Sequence, residues 1–279
     1  MYKINSTTIP SELIKITKQV IASKSSNKKL IFVRSVENIG SLSGCFNGWL
    51  DAKISEYGRK QAKYLSIEYF SSFENIASFG NVFLSDLLRA RETTDICLGY
   101  DYKVSYIPKP ELREIYFGDN EGLFYDGLPK EEKSKMNKTN NKFPNGESWL
   151  DVKYRCLRFL QNLPNEKKTL NEESNVDLVF THGGFLTSLL FSKNLKSLPP
   201  NGTVLVVTLS DLFTDENHRA KSKALLDEYS THYQCSDEHF SKNPSLFDNF
   251  NPAFEHYLNK LVEGIDIQYN LPDLAEELI

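Results

Sequence analysis

The chain has 279 residues and a formal net charge of −4 at pH 7, and these values exclude several classes of protein. An acidic balance gives no basic surface of the kind that binds nucleic acid. No apolar run is long enough for a membrane span, and the first residues do not resemble a signal peptide. Scattered cysteines favour free thiols in a reducing compartment. We expect a soluble cytoplasmic protein, although an effector delivered by a bacterial secretion system would have the same composition.

The first elements are a helix and a buried strand. Apolar residues recur at helical spacing in residues 10–22, which predicts a helix packed on the edge of the sheet. A helix that binds a partner is the alternative. Residues 30–33 form a short apolar run of the kind found in the middle of a parallel sheet, and Arg34 follows it. Ligands bind at the carboxyl ends of such strands, so Arg34 is a candidate ligand residue.

A second strand, residues 81–84, ends at Ser85, and Arg89 lies one turn into the helix predicted after it. That position allows Arg89 to turn its guanidinium toward the edge where Arg34 lies. Two guanidiniums provide the paired donors that suit the oxygens of a phosphate group.

A third buried strand, residues 176–180, leads into Thr181 and His182, and two glycines open the next helix. A histidine at a strand end, beside a helix N-terminus that glycines leave accessible, suits the stabilisation of an anion. Residues 201–209 form the last predicted strand.

Four segments carry recognisable motifs in a fixed order. They read Leu-Ile-Phe-Val-Arg-Ser-Val (residues 30–36), Ser-Asp-Leu-Leu-Arg-Ala-Arg-Glu-Thr (85–93), Leu-Arg-Glu-Ile-Tyr-Phe-Gly (112–118) and Thr-His-Gly-Gly (181–184). Together with Gly-Trp-Leu-Asp (48–51), they resemble the histidine phosphatase (phosphoglycerate mutase-like) superfamily. The resemblance implies a three-layer α/β/α sandwich with a mostly parallel central sheet, to which helical N- and C-terminal additions are attached.

The resemblance also assigns roles to the charged residues. It implies that Arg34, Arg89 and His182 bind the phosphate and that Glu114 is the general acid. Ser41 stands where the family often places an asparagine that helps to hold the phosphate, so it is a further candidate contact. Ile115 follows the acid where mutases of the family carry arginine, which favours the phosphatase branch.

The nucleophile position departs from the family. There the first strand is followed by Arg-His-Gly, and the histidine attacks phosphorus. Here Ser35 occupies the histidine position and Val36 the glycine position. Serine is a poorer nucleophile at neutral pH, and losing a nucleophile costs on the order of a millionfold in rate. Valine does not readily adopt a positive φ. If the glycine of the family serves backbone geometry or close approach of the phosphate, restoring only the histidine is expected to recover little activity.

Three functions follow from these observations. The leading interpretation is a pseudophosphatase that binds a phosphorylated small molecule or phosphoprotein, without a cofactor and with little or no catalysis. The second is an active phosphomonoesterase in which Ser35, activated by His182 or Glu114, or a water molecule attacks phosphorus. The third is an interaction protein whose pocket is vestigial. The sequence leaves open whether the protein is an enzyme. It favours the pseudophosphatase over the active phosphatase.

The predicted organisation is an N-terminal segment (1–28), a phosphatase-like domain (29–210) with a polar insert or lid at about 124–142, and a helical extension (211–279). Glu147 and Ser148 are predicted to cap a helix over residues 149–160. His232, Cys235 and His239 have zinc-like spacing without a second cluster, so no metal is predicted. A protein partner bound through the extension and a homodimer both stay open.

Overall fold

The computed structural model describes residues 2–3, 15, 18, 21, 28–73, 76–99, 105–136, 141–190 and 199–208. Within these residues the strands form one sheet with the order β1-β6-β2-β5-β3-β4. Strands β2, β5, β3 and β4 are parallel to one another, whereas β6 and β1 are antiparallel to their neighbours. The strands are β1 (Tyr2–Lys3), β2 (Lys29–Arg34), β3 (Val82–Leu84), β4 (Tyr106–Pro108), β5 (Val176–Thr181) and β6 (Val204–Thr208).

Helices cover both faces of this sheet. Alternate residues of β2 point to opposite sides, so Leu30 and Phe32 belong to one hydrophobic cluster and Ile31 and Val33 to the other. The helices are α1 (Ile39–Leu42), α2 (Glu56–Tyr64), α3 (Leu88–Leu98), α4 (Lys130–Met136), α5 (Trp149–Asn162) and α6 (Gly183–Leu190). Helices α2 and α3 pack on one face, and α5 and α6 on the other. The predicted three-layer α/β/α sandwich with a mostly parallel sheet is therefore confirmed.

The register of the parallel strands brings three polar residues to one edge. Arg34 pairs with Thr181 across β2 and β5. Leu84 pairs with Phe180 across β3 and β5. The residues that follow these strands are Ser35 after β2, Ser85 after β3 and His182 after β5. All three lie side by side at the carboxyl edge of the sheet.

Side-chain caps fix where the helices begin. The Ser55 hydroxyl accepts a hydrogen bond from the N–H of Gly58 at 2.9 Å, which starts α2 where the sequence predicts. Ser148 starts α5 through a reciprocal capping box with Asp151. The prediction that Glu147 is also a cap is wrong: its carboxylate bonds to Arg155 and to the N–H of Tyr116.

Several predicted segments lie wholly or partly outside the described residues. In the predicted N-terminal helix only Lys15, Lys18 and Ile21 are described, each in helical conformation, and Ile21 packs against the core. Residues 211–279, with His232, Cys235 and His239, are outside the description. The predicted insert contains a 3-10 turn, Tyr125–Gly127, and α4. Among the helices that are described, none is long and apolar enough to cross a membrane.

Removing the α5 cap should lower stability without touching the pocket. Ser148→Ala deletes the hydroxyl that accepts the N–H of Asp151 at 3.1 Å. We expect the free energy of unfolding to fall by about 1 kcal/mol, measured by urea denaturation. Ser134→Ala, at an exposed position on α4, is the control and should change stability by less than about 0.5 kcal/mol. Equal effects in the two variants would contradict the capping role.

Candidate functional site

A buried histidine bridges two serine hydroxyls at the carboxyl edge of the sheet. His182 Nδ1 lies 3.3 Å from Ser35 Oγ, and His182 Nε2 lies 2.8 Å from Ser85 Oγ. The backbone around Ser35 is fixed, since its N–H donates to the carbonyl of Thr181 and its carbonyl accepts from the side chain of Asn201. The structure thus brings together the two predicted residues Ser35 and His182, and adds Ser85 as a partner of the imidazole.

The imidazole of His182 is neutral at pH 7. Burial lowers its pKa well below the ordinary value of 6.5, and four nearby guanidiniums lower it further: Arg89, Arg34, Arg155 and Arg113. A neutral imidazole is a donor at one nitrogen and an acceptor at the other, which fits its position between two hydroxyls.

Arg34 lies at the base of a pocket of about 380 Å³ that Ser35 and His182 also line. Its pKa is lowered to about 10. Burial is the main cause and the charge of Arg89 adds to it, whereas Glu114 acts in the opposite direction. The guanidinium therefore stays charged at neutral pH. Its Nε is buried and has no hydrogen-bond partner within the described part of the chain. This cation is the least satisfied charged group of the pocket.

Arg89, which begins the α3 helix with Leu88, also lines the pocket but has partners of its own. Its guanidinium donates to the carbonyls of Gly48 at 2.6 Å and Leu50 at 2.9 Å. Burial lowers its pKa, whereas the carboxylates of Glu114, Asp51 and Glu121 raise it. Arg89 therefore holds the loop over residues 48–50 while presenting charge to the pocket.

Two consecutive glycines let Arg34 and Glu114 approach the start of α6. A Cβ at Gly183 would lie 3.0 Å from Arg34 Cζ, and a Cβ at Gly184 would lie 2.0 Å from Glu114 Oε1. That oxygen accepts the N–H of Ile115 at 2.9 Å. Glycine therefore leaves room for the carboxylate in its present position, beside the start of α6.

Arg155 fixes the backbone that carries Glu114, a role that the sequence interpretation missed. It is almost wholly buried and forms a bidentate pair with Glu147 at 2.7 and 2.8 Å. It also donates to the carbonyls of Glu111, Arg113 and Glu114 at 2.7, 3.0 and 3.1 Å. An arginine on the apolar face of a predicted amphipathic helix was the available signal.

Ser41 lines the pocket, but its hydroxyl has local partners. It donates to the carbonyl of Asn38 at 2.8 Å, and the N–H of Asn38 approaches it at 3.1 Å. The Asn38 side chain accepts from the N–H of Ser41 and from the amide of Asn47. Its role as a phosphate contact therefore stays a prediction.

Val36 lies in the core and not in the pocket. Its side chain is fully buried in the cluster of Ile31 and Val33, and its N–H donates to Thr93 Oγ1 at 3.2 Å. Among the described residues that are not glycine, only Asn145 has a positive φ. The expected conflict between valine and a positive φ at position 36 is therefore wrong for this backbone.

The edge pocket of this α/β fold brings together arginines, a neutral histidine and a glutamate. No group of histidine, cysteine and acidic side chains that could hold a metal ion occurs in the described ranges. The model of the histidine phosphatase superfamily (branch 1) matches residues 30–207. The chain belongs to this superfamily.

Individual relatives include both mutases and phosphatases by name. The phosphoglycerate mutase-like protein 4 of Arabidopsis thaliana is 31% identical over 58% of this chain and 69% of its own. The adenosylcobalamin/alpha-ribazole phosphatase of Salmonella typhimurium is 30% identical over 58% of this chain and 77% of its own length. The crystal structure of TTHB049 from Thermus thermophilus matches 64% of this chain and 92% of its own, with 30% identity and a TM-score of 0.51.

The buried side chain of Glu121 bonds to the backbone next to the pocket. Its titration should make the stability of the fold depend on pH. It accepts the N–H groups of Trp49 at 2.7 Å and Phe117 at 3.2 Å. Burial raises its pKa from 4.5 to about 8, against the lowering effect of those N–H donors and of Arg89. Between these values the native state holds a proton that the unfolded state has lost. The free energy of unfolding therefore falls as pH rises through this window, by at most about 1.4 kcal/mol per pH unit.

Glu121→Gln keeps the acceptor oxygen and removes the titration. We expect this variant to be more stable than the wild type above pH 8, with the difference vanishing toward pH 4.5, in urea unfolding between pH 5 and 9. Because the pKa of His182 is lowered in the native state, this residue makes the free energy of unfolding rise with pH. The wild type and the variant share this contribution, so it cancels when they are compared. Glu56→Gln, at an exposed position, is the control. A difference that does not change with pH would show that Glu121 keeps an ordinary pKa.

Proposed function

We propose that this chain binds phosphate monoesters in the edge pocket and that phosphoryl transfer is lost or strongly slowed at Ser35. The observation that carries the proposal is the Arg34 guanidinium, which is charged at neutral pH and has a buried Nε without a partner in the described structure. A buried cation with an unsatisfied donor is costly, so an anion bound beside it would stabilise the native state.

The remaining groups of the pocket favour a phosphate group as that anion. Arg89 adds a second guanidinium, and α6 directs its N-terminus toward the same space. His182 adds no charge, and because its two nitrogens face Ser35 and Ser85, it would act on the anion through the Ser35 hydroxyl. The relatives named as phosphatases and mutases support the same class of ligand. Ile115 is buried where an arginine would suit a second anionic group, which favours a phosphatase-type ligand over a mutase-type one.

The environment of Ser35 argues against efficient attack on phosphorus. A serine hydroxyl needs a base to take its proton, and the nearest one is His182 Nδ1 at 3.3 Å. Burial, together with the four arginines, holds the pKa of His182 well below 6.5 and so makes it a weak base. A phosphoserine formed here would moreover be a stable ester. Both arguments favour binding over turnover.

The short distance between Ser35 and His182 nevertheless supports a second candidate, a slow phosphomonoesterase. In it the Ser35 oxygen bonds to phosphorus as its proton passes to His182, and the leaving alcohol takes a proton from Glu114. Water then hydrolyses the phosphoserine. Ser35→Ala should reduce such activity by at least about tenfold on both p-nitrophenyl phosphate and alkyl phosphates. Glu114→Gln should slow the hydrolysis of alkyl phosphates most, because their leaving groups need protonation. Activity retained in Ser35→Ala would instead indicate attack by water.

Binding can be tested without assuming catalysis. At about a hundred times its dissociation constant, phosphate or vanadate should stabilise the full chain by roughly 2.7 kcal/mol. For a domain of this size, that free energy corresponds to a rise in Tm of about 5–10 °C. Arg34→Ala should abolish the shift in a thermal denaturation assay. Arg59→Ala removes a positive charge from a partly exposed position on α2 and should leave the shift intact. No shift in the wild type would favour an interaction protein with a vestigial pocket.

Restoring the histidine tests whether Ser35 alone limits catalysis. Because Val36 packs in the core, Ser35→His should raise p-nitrophenyl phosphate hydrolysis by at least about a hundredfold, a small part of what a nucleophile can contribute. An acid-labile phosphoenzyme should be detectable by mass spectrometry. Ser35→His with Val36→Gly should be no more active and should lose about 2 kcal/mol or more of stability from the core. A folded Ser35→His variant that binds phosphate yet stays inert would show that more than the nucleophile is missing.

A further inference from the structure

Aromatic side chains form the outer wall of the pocket. Phe46 lies 4.9 Å from Phe117 and 5.6 Å from Tyr125, measured between ring centroids, and Phe117 lies 4.9 Å from Phe143. All four residues line the pocket, together with Trp149. The rings therefore form one continuous aromatic surface in the same pocket as the charged groups.

Two loops pair through their backbones to hold this wall. The N–H of Phe46 donates to the carbonyl of Leu123 at 3.0 Å, and the N–H of Gly122 donates back to the carbonyl of Phe46 at 2.8 Å. The N–H of Tyr125 donates to the carbonyl of Gly44 at 3.1 Å. These bonds hold the backbones of the two loops together and so bring the Cα atoms of Phe46 and Tyr125 to the same side of the pocket.

The charges of the pocket are confined to its base. Of the described residues that line it, the two arginines are Arg34 and Arg89, and the carboxylic acid is Glu114. The two guanidiniums supply the positive charge that a phosphate group requires. One cation lies near the aromatic wall: Lys133 Nζ is 4.9 Å from the centroid of the Tyr125 ring, but it donates to the carbonyl of Asp126 and Lys133 does not line the pocket.

We propose that the pocket selects phosphate monoesters whose organic part is an uncharged aromatic ring. The phosphate group lies against Arg34 and Arg89, and the ring packs against the aromatic wall, where offset and edge-on contacts between rings are favourable. A cavity of about 380 Å³ suits a small ligand of this kind. This inference rests on the proposed function, since it names the class of monoester that the same site takes.

Phosphonates, which the protein cannot hydrolyse, test the selectivity apart from catalysis. Calorimetric titration of the full chain would compare inorganic phosphate, benzylphosphonate, butylphosphonate and 3-phosphonopropionate. We expect benzylphosphonate to bind at least about tenfold more tightly than 3-phosphonopropionate, whose carboxylate meets the apolar wall, with butylphosphonate between them.

Variants of the wall complete the test. Tyr125 is 43% exposed, so Tyr125→Ala should fold and should weaken benzylphosphonate binding by about threefold to tenfold while leaving inorganic phosphate unchanged. Tyr125→Phe keeps the ring and should keep the affinity. Leu123→Ala changes an equally exposed residue of the same loop that does not line the pocket, and should have no effect.

The outcomes separate this inference from the proposed function. If inorganic phosphate binds but benzylphosphonate and 3-phosphonopropionate bind equally, the aromatic selectivity is wrong and phosphate binding stands. Tighter binding of the carboxylated ligand, or no effect of Tyr125→Ala on benzylphosphonate, would also overturn it. If neither inorganic phosphate nor any phosphonate binds, both proposals fail.

Discussion

The structure depends on burying several guanidiniums at one edge of a sheet. Arg113 and Arg155 are held by bidentate pairs with carboxylates, and Arg89 by backbone carbonyls and nearby acids. Arg34 receives the least compensation, since its Nε has no partner in the described part of the chain. Burial of paired charges is tolerated, whereas an unpaired buried charge is costly. The distribution of partners thus sets apart one of these cations as the group that gains most from a bound anion.

The same arginines determine the shape of the loops around the pocket. Arg155 on α5 donates to three carbonyls of the segment that ends at Glu114. Arg89 on α3 donates to two carbonyls of the loop before α2. A change in either arginine would therefore alter both the stability of the loops and the position of the acid. In this fold the packing of the helices and the geometry of the pocket are not independent.

The sequence predicted the parts of the site that depend on local pattern. Apolar runs followed by Arg34, Ser85 and His182 identify strand ends, and parallel pairing then brings such residues to one edge. Partners that come from distant elements were missed, because spacing along the chain does not show them. Glu147 resembles a helix cap in sequence, but it pairs with Arg155, eight residues further along the chain, within α5. The predicted helix over residues 10–22 and the extension over residues 211–279 stay predictions.

The contact of His182 with a serine on each side has a consequence for the direction of the hydrogen bonds. Because hydroxyl groups rotate, either tautomer of the imidazole can keep both bonds. When Nδ1 accepts from Ser35, the serine oxygen turns only lone pairs toward the pocket; when Nδ1 donates, Ser35 turns its proton there. The first arrangement accepts a hydrogen bond from a protonated phosphate oxygen, and the second donates one to an ionised oxygen. A phosphate monoester loses its second proton at a pKa of about 6, so one uncharged chain of hydrogen bonds can accommodate both ionic forms of the ligand near neutral pH.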